Sequence, residues 1–399
     1  MHVTKLQRAR ASRTKRAFTT RRVPARDMET LISGNVEPVA GNLVLATVHE
    51  LGKHRKVERL NGRRALMMPG DEIIVCYGNR YAPDQFEALV CDDLSLCDLV
   101  AGGGIAAREI NRHERMLPPT QIMPVGLIGN AQGESLNVAD YRIPYRESRY
   151  SIKVFLSVGT AMNSGKTFTA ASVVRGLKGH GYRVAGIKAT GTGSGGDLWQ
   201  MKDMGADVVL DFTDAGFAST YKAPDEAIEA GVIGLISHAA ERKCTYAIME
   251  IADGLQHQET ATLLRSKKLQ SMVSGVVFAA YDSMGAKSGY DMLRALGYSV
   301  LALSGQITRS PLAAREAARA TGCTIYSPFE IQAGALVPVM TDLSDRDSLA
   351  AQQEQVRRIT ANAKNFVIDI ERPQHITVRD QPPEGVYSLD YPEALQERA

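Results

Sequence analysis

An α/β fold, with a mostly parallel sheet covered by helices on both faces and a small β-rich domain before it, is what this chain of 399 residues predicts. Three observations carry that expectation. From about Ser151 onward, apolar strand-like runs alternate with helical patterns, the rhythm of a parallel sheet whose crossovers are helices. Between Leu31 and Tyr150 the runs are shorter and broken by Gly and Pro, as in a small barrel or sandwich. Finally, the apolar run 154–158 leads into a loop of small residues and then a helix opening on Gly165–Lys166–Thr167.

In chain order, residues 1–26 hold nine Lys or Arg and no acid within a chain of net charge +3, so the remainder carries a net −6. A flexible basic arm is expected over 1–30, with polyanion binding or organelle targeting as its alternatives. The β-rich domain is expected over 31–150, with strands at 43–48, 64–67, 72–77 and 86–90 and a turn at Pro69–Gly70–Asp71. Asn79, Arg80 and Tyr81 read as a hydrogen-bonded turn. Gly102–Gly103–Gly104 is predicted to open a helix through Ala106 to Glu114. A triple Gly there reads as a flexible turn, with an anion cradle as the other possibility, since the full dinucleotide fingerprint is missing.

The second domain is expected over 151–335, with strands at 154–158, 184–188, 208–210, 246–251, 275–280 and 299–303. Helices are predicted between them at 167–177, 198–204, 224–240, 260–266, 289–296 and 311–320. Residues 336–399 are expected to form a carboxyl-terminal extension with a helix at 348–363, a short strand at 365–370 and a Pro-rich tail.

Strand, small-residue loop and Gly-Lys-Thr helix start are the layout of a phosphate-binding P-loop. Gly159, Thr160, Asn163, Ser164 and Gly165 would offer backbone N–H groups to an anion at a helix N-terminus. Lys166 would reach the terminal phosphates, and the Thr167 hydroxyl would sit on Mg²⁺. Five residues separate Gly159 from Gly165, one more than usual. Lys188 ends the second strand beside a Gly/Ser/Thr-rich loop, where a compact ammonium suits phosphate or carboxylate.

Acids sit at the ends of the next strands. Asp211 and Asp214 follow the third and could hold Mg²⁺, Asp214 alternatively capping a helix. Glu250 follows an apolar strand, where an acid is expensive to bury unless it meets a metal or a cation. Asp253 and His257 follow on the same rim; His257 reads as an exposed loop residue, with acid–base work as the alternative.

Gly159–Thr160 through Gly165–Lys166–Thr167, with its five intervening residues, resembles the loop of dethiobiotin synthetases. The segment Gly181 to Lys188 followed by Gly191–Thr192–Gly193–Ser194 is similar to that family's second strand and loop, and Glu250 matches its metal-binding Glu. The Gly-rich stretch after that Glu is reduced here to Ala252–Asp253–Gly254. The chain also resembles a P-loop family that includes D-glutamate N-acetyltransferases, through its Gly-Thr loop, Ala189–Thr190–Gly191 and the fourth-strand Glu.

The resemblances imply a P-loop domain of the dethiobiotin synthetase-like superfamily and an ATP- and Mg-dependent ligase or transferase that activates a small carboxylate- or amine-bearing metabolite. Lys166 and Lys188 would be catalytic, Thr167, Asp211 and Glu250 would hold the metal, and Thr190, Ser194 and Asp253 would meet the substrate. A CoA-dependent N-acyltransferase gripping CoA phosphates in the P-loop is the alternative, and a non-catalytic nucleotide sensor a third. A homodimer follows from the resemblance alone.

Ala161 stands four positions before Gly165, so the additional P-loop lysine of the MinD group is missing, and no Asn-Lys-x-Asp guanine motif occurs. No apolar run reaches the roughly 18–20 residues needed to span a bilayer, so no membrane partner is expected. Nucleic acid is expected at most through the basic arm. Five cysteines without a C-x-x-C pair fit reduced thiols in a cytoplasmic protein better than a disulfide framework or a zinc site.

Overall fold

The computed structural model describes residues 1–342; the helix and strand expected after residue 347 lie outside them. The first part of the chain forms strands β1 (His2–Lys5), β2 (Lys15–Arg16), β3 (Thr30–Ser33), β4 (Leu43–Glu50), β5 (Lys56–Glu58) and β6 (Arg64–Leu66). After them come β7 (Glu72–Tyr77), β8 (Arg80–Tyr81), β9 (Phe86–Leu89), β10 (Cys97–Ala101), β11 (Ile105–Arg112) and β12 (Thr120–Gly129). Strands β12, β4, β7, β11 and β10 each pair with the next, and β10 pairs back onto β12, so five strands close into a small barrel. Closure removes the unpaired edges that an open sheet of short strands would present. Alternate residues of β7 enter two separate apolar clusters: Ile73, Val75 and Tyr77 one, Ile74 and Cys76 the other. That strand is therefore buried on both sides, as its unbroken apolar run requires.

Two expectations for this region are corrected. The segment predicted as a helix from Ala106 is strand β11, and Gly102–Gly104 is the turn joining β10 to β11. Ala, Arg and Glu favour helix intrinsically, but pairing with three strands overrides so weak a preference. Residues 1–30 do not form a flexible arm. They supply β1, helix α1 (Arg8–Arg13), β2 and two single turns of 3₁₀ helix. Their charges find distant acids: Arg10 pairs with Glu72, Lys15 with Asp71, and Arg21 with Asp211 and Asp214.

The second part is a six-stranded, all-parallel sheet built from β13 (Lys153–Gly159), β14 (Val184–Lys188), β15 (Val208–Asp211), β16 (Tyr246–Glu250), β17 (Val273–Ala279) and β18 (Val300–Ser304). Its strand order is β15–β14–β16–β13–β17–β18. The crossovers carry helices α2 (Lys166–Gly179), α3 (Gly196–Asp203), α4 (Asp225–Glu241), α5 (Gln258–Arg265), α6 (Lys267–Met272) and α7 (Ser283–Ala295). From β13 to β15 the chain moves toward one edge and then reverses, and crossovers of one hand put helices on opposite faces at such a reversal. Helices cover both faces accordingly. Helix α8 (Pro311–Thr321) packs on α7, and α9 (Pro328–Gln332) lies against α2.

Helix α2 shows why the sequence folds this way locally. Ala170, Val173, Val174 and Leu177 recur at helical spacing and are all buried against the sheet. Gly165, at φ +98°, starts the helix in a left-handed conformation, where an L side chain is strained. A Cβ there would also meet Gly305 Cα at 2.9 Å. Among the described residues no helix is long and apolar enough to cross a membrane. Cys76, Cys91, Cys97, Cys244 and Cys323 are all free and buried.

Candidate functional site

Ligands in parallel α/β sheets bind beyond the carboxyl ends of the strands. At that end the register lines up Asp211, Lys188, Glu250 and Ser157 as one row across β15, β14, β16 and β13. Residues paired in register share a face, so these side chains converge on the α2 side, where Ser157 Oγ donates to the Lys166 carbonyl at 2.9 Å.

The loop from Gly159 to Thr167 bends over this row. Thr160 N–H donates to Ala279 O at 3.1 Å and Gln306 N–H to Ser164 O at 2.9 Å, which ties the loop to β17 and to the end of β18. No side chain caps α2, so the first-turn N–H groups, which have no intrahelical partner, face the loop's concavity. Asn163 takes a positive φ of 62° and its amide bonds Asp84, while the Thr160 and Ser164 hydroxyls are buried without a partner among the described residues. The Lys166 ammonium is buried and reaches back across the loop to Ala161 O at 2.7 Å. Burial pulls its pKa down; Asp253 and Glu250 act in the opposite direction.

Behind the loop lies a charged knot. The Thr167 hydroxyl donates to Glu250 Oε1 at 3.0 Å and contacts Asp197 Oδ1 at 3.3 Å. The Lys188 ammonium pairs with Asp197 and stands 3.5 Å from Glu250 Oε1. Among the described residues Glu250 Oε2 is buried and has no hydrogen-bond partner. An orphaned carboxylate oxygen beside a hydroxyl and a second carboxylate fits Mg²⁺, which takes one or two carboxylates and completes its shell with water and phosphate oxygens. Among the described residues no cluster of three or more His, Cys, Asp or Glu could hold a metal. Asp197 is the carboxylate that sequence reasoning did not single out; its signal is an acid in the first turn of a helix directly after the Gly-rich loop.

Asp211, expected at the metal, also keeps a buried oxygen, Oδ2, without a partner among the described residues, but its other oxygen is engaged elsewhere. It lies two strands from Glu250, and its Oδ1 accepts from Arg21 at 2.8 Å and from the Thr213 N–H and hydroxyl at 2.8 and 2.6 Å. Asp214 neither caps a helix nor faces the loop. It pairs with Arg21 and Arg22, and burial raises its pKa against the pull of Arg21. Arg21 was hidden from sequence reading by some 190 residues of separation.

The three expected substrate residues part company. Thr190 is fully buried, its hydroxyl donating to the Ala252 carbonyl and accepting from the Ala252 N–H, so it pins the loop after β16 and is not placed to touch substrate. Ser194 is half-buried with its backbone against Gly103. Asp253 alone lines a cleft, with Tyr81, Thr192, Tyr221, His257 and Glu259. That cleft adjoins the loop: a Cβ on Gly254 would meet Thr160 O at 2.5 Å. Tyr81 meets His257 at a 40° tilt with centroids 4.5 Å apart, and Tyr221 donates to Glu87 at 3.1 Å, so the strands β8 and β9 supply one wall. His257 is thus half-buried rather than an exposed loop residue, with Nδ1 unpartnered and its pKa lowered by burial. Burial lifts Glu259 to about 7. Arg80, expected in a plain turn, is buried with Asp253 as its nearby countercharge.

No protein-family model and no curated protein matches the chain. Solved structures that align with part of it include the signal recognition particle 54 kDa protein of Aeropyrum pernix K1 in complex with GDP, at 17% identity over 55% of this chain and 52% of that one, with a TM-score of 0.32. The signal recognition particle receptor FtsY of Elizabethkingia anophelis aligns at 17% identity over 38% and 48%, with a TM-score of 0.28. FtsY of Mycoplasma mycoides aligns at 15% over 46% and 62%, with a TM-score of 0.30. The alignments thus span roughly half the length of these proteins. The likenesses are distant and partial, and the reading of the site rests on its own geometry: a P-loop closed over a row of charged strand-end residues.

Proposed function

We propose that this protein is an enzyme that binds ATP with Mg²⁺ and transfers the terminal phosphoryl group to a small carboxylate- or amine-bearing metabolite, as a ligase or synthetase of the dethiobiotin synthetase-like type would. One observation supports this above the others: Lys166, Lys188, Thr167 and Glu250 meet at the mouth of the P-loop, with Glu250 Oε2 buried and unpaired. Two ammonium groups and a helix N-terminus suit a polyphosphate, and Thr167, Glu250 and Asp197 would hold the ion. Mg²⁺, when bound, would neutralise charge on the phosphate oxygens. Lys166 and Lys188 then offset the charge that moves toward the leaving oxygen, so the protein works by positioning and electrostatics. The acceptor would approach the loop from the side of Asp253, Tyr81 and His257, where the cleft, about 20 Å³ as it stands, holds little more than a water and must open to admit it.

Incubating the protein with ATP, Mg²⁺ and a metabolite extract, with mass detection, tests the reading. ADP and a new product mass, both absent in Lys166→Ala, are expected. Product formation that needs acetyl-CoA and no nucleotide would replace it with acyl transfer, and product with GTP but not ATP would change the nucleotide.

A further inference from the structure

Glu58 ends β5 on the barrel side and is buried, yet it pairs with no Lys or Arg within hydrogen-bonding distance among the described residues. Its Oε2 accepts the Gly195 N–H at 2.9 Å, and its Oε1 accepts the Trp199 indole N–H at 2.7 Å. Those donors lie two residues before and two residues after Asp197. The carboxylate therefore brackets the first turn of α3 from outside. Bonds to an ionised acceptor are stronger than neutral ones, which makes such a bracket stiff.

The surroundings are built for it. A Cβ on Gly195 would land on the Glu58 carboxylate and on the Trp199 indole, so the close approach needs glycine. Phe18 meets the indole edge-on at 6.1 Å, and Gly103 lies against the backbone of Gly193 and Ser194. The loop from Gly191 to Gly196 is thus held from the barrel side. What it presents on its far side is Asp197, split between Thr167 and Lys188.

We infer that Glu58 is a positioning residue for the metal–phosphate site, fixing Asp197 opposite Thr167 from across the two parts of the chain. The inference rests on the nucleotide reading above. A carboxylate that shares an ion with Glu250 must be held within about 0.5 Å to be useful, and groups that orient ligands commonly change metal affinity by about 10–100-fold when removed.

The test titrates the non-hydrolysed analogue AMP-PNP into the full-length protein by calorimetry, in EDTA and across a Mg²⁺ series, and follows bound Mn²⁺ by electron paramagnetic resonance. Glu58→Ala should keep its metal-free affinity for the analogue within about twofold and need about tenfold more Mg²⁺. Trp199→Phe, which removes one donor and keeps the ring, should need about threefold more and carries the test if Glu58→Ala does not fold. Asp197→Ala should match Glu58→Ala, and the double variant should add nothing further. An unchanged Mg²⁺ requirement in Glu58→Ala or Trp199→Phe, or additive shifts in the double variant, would overturn the inference while leaving nucleotide binding standing. A wild-type protein that takes up no analogue would remove both.

Discussion

Glu250 concentrates the argument at the scale of single residues. It ends an apolar strand, its Oε1 takes the Thr167 hydroxyl, and its Oε2 has nothing to accept from. A buried acceptor left so is costly, and an ion resolves the imbalance. Glu250→Gln should therefore keep metal-free nucleotide binding and lose most of the gain that Mg²⁺ provides, by about tenfold or more in a magnesium titration; an undiminished gain contradicts the assignment. Glu259 makes a separate prediction. Burial raises it from 4.5 to about 7, so the folded state holds its proton longer than the unfolded chain does. Its contribution to stability is full below pH 4.5, drains away as pH climbs to about 7, and is lost above that, about 3 kcal/mol in all. Glu259→Gln should flatten this fall, measured by urea unfolding at pH 5 and pH 8. Lys188 and Glu250 were legible because an apolar run that stops on a charge marks its own location, and Lys166 because Gly-Lys-Thr follows a strand and a small-residue loop. Asp197 was not, and for Asp211 the partner Arg21 was not, since each contact is made only after folding brings distant segments together.

At the scale of elements, two segments carry predictions of their own. Gly165 combines a left-handed φ with a 2.9 Å approach of its would-be Cβ to Gly305, so Gly165→Ala should cost about 1–3 kcal/mol in backbone strain and more in displacement of the loop. Thermal unfolding and nucleotide binding should fall together; stability near wild type would show that the loop is not so tightly seated. Arg21 binds Asp211 and Asp214, all three largely buried. Removing it strands two carboxylates, so Arg21→Ala should destabilise by about 3–5 kcal/mol, and adding Asp214→Asn should recover part of the loss. A loss below about 1 kcal/mol would mean that water already screens the pair. The parallel sheet could be read from sequence because each of its strands is a short apolar run followed by a helical period. Strand β11 could not, because Ala, Arg and Glu mark a helix locally and only its neighbours make it a strand.

For the whole molecule, the consequential feature is that the amino-terminal part of the chain and the parallel sheet build the site together. Glu58 holds the loop before α3, Tyr81 walls the cleft, and Arg21 neutralises the end of β15. None of these was visible in the pattern of residues, because sequence periodicity reports faces of single elements and not which distant element lies against them. The amino-terminal segment is part of this arrangement, so deleting residues 1–26 should lower the unfolding midpoint markedly; an unchanged midpoint would mean that its ion pairs contribute little. The most direct measurement of the central claim is calorimetric titration of ATP into the full-length protein with and without Mg²⁺, beside Lys166→Ala. Saturable one-site binding that tightens with Mg²⁺ and is lost in the variant is the predicted result. No binding heat at any magnesium concentration, or equal binding by Lys166→Ala, would contradict it.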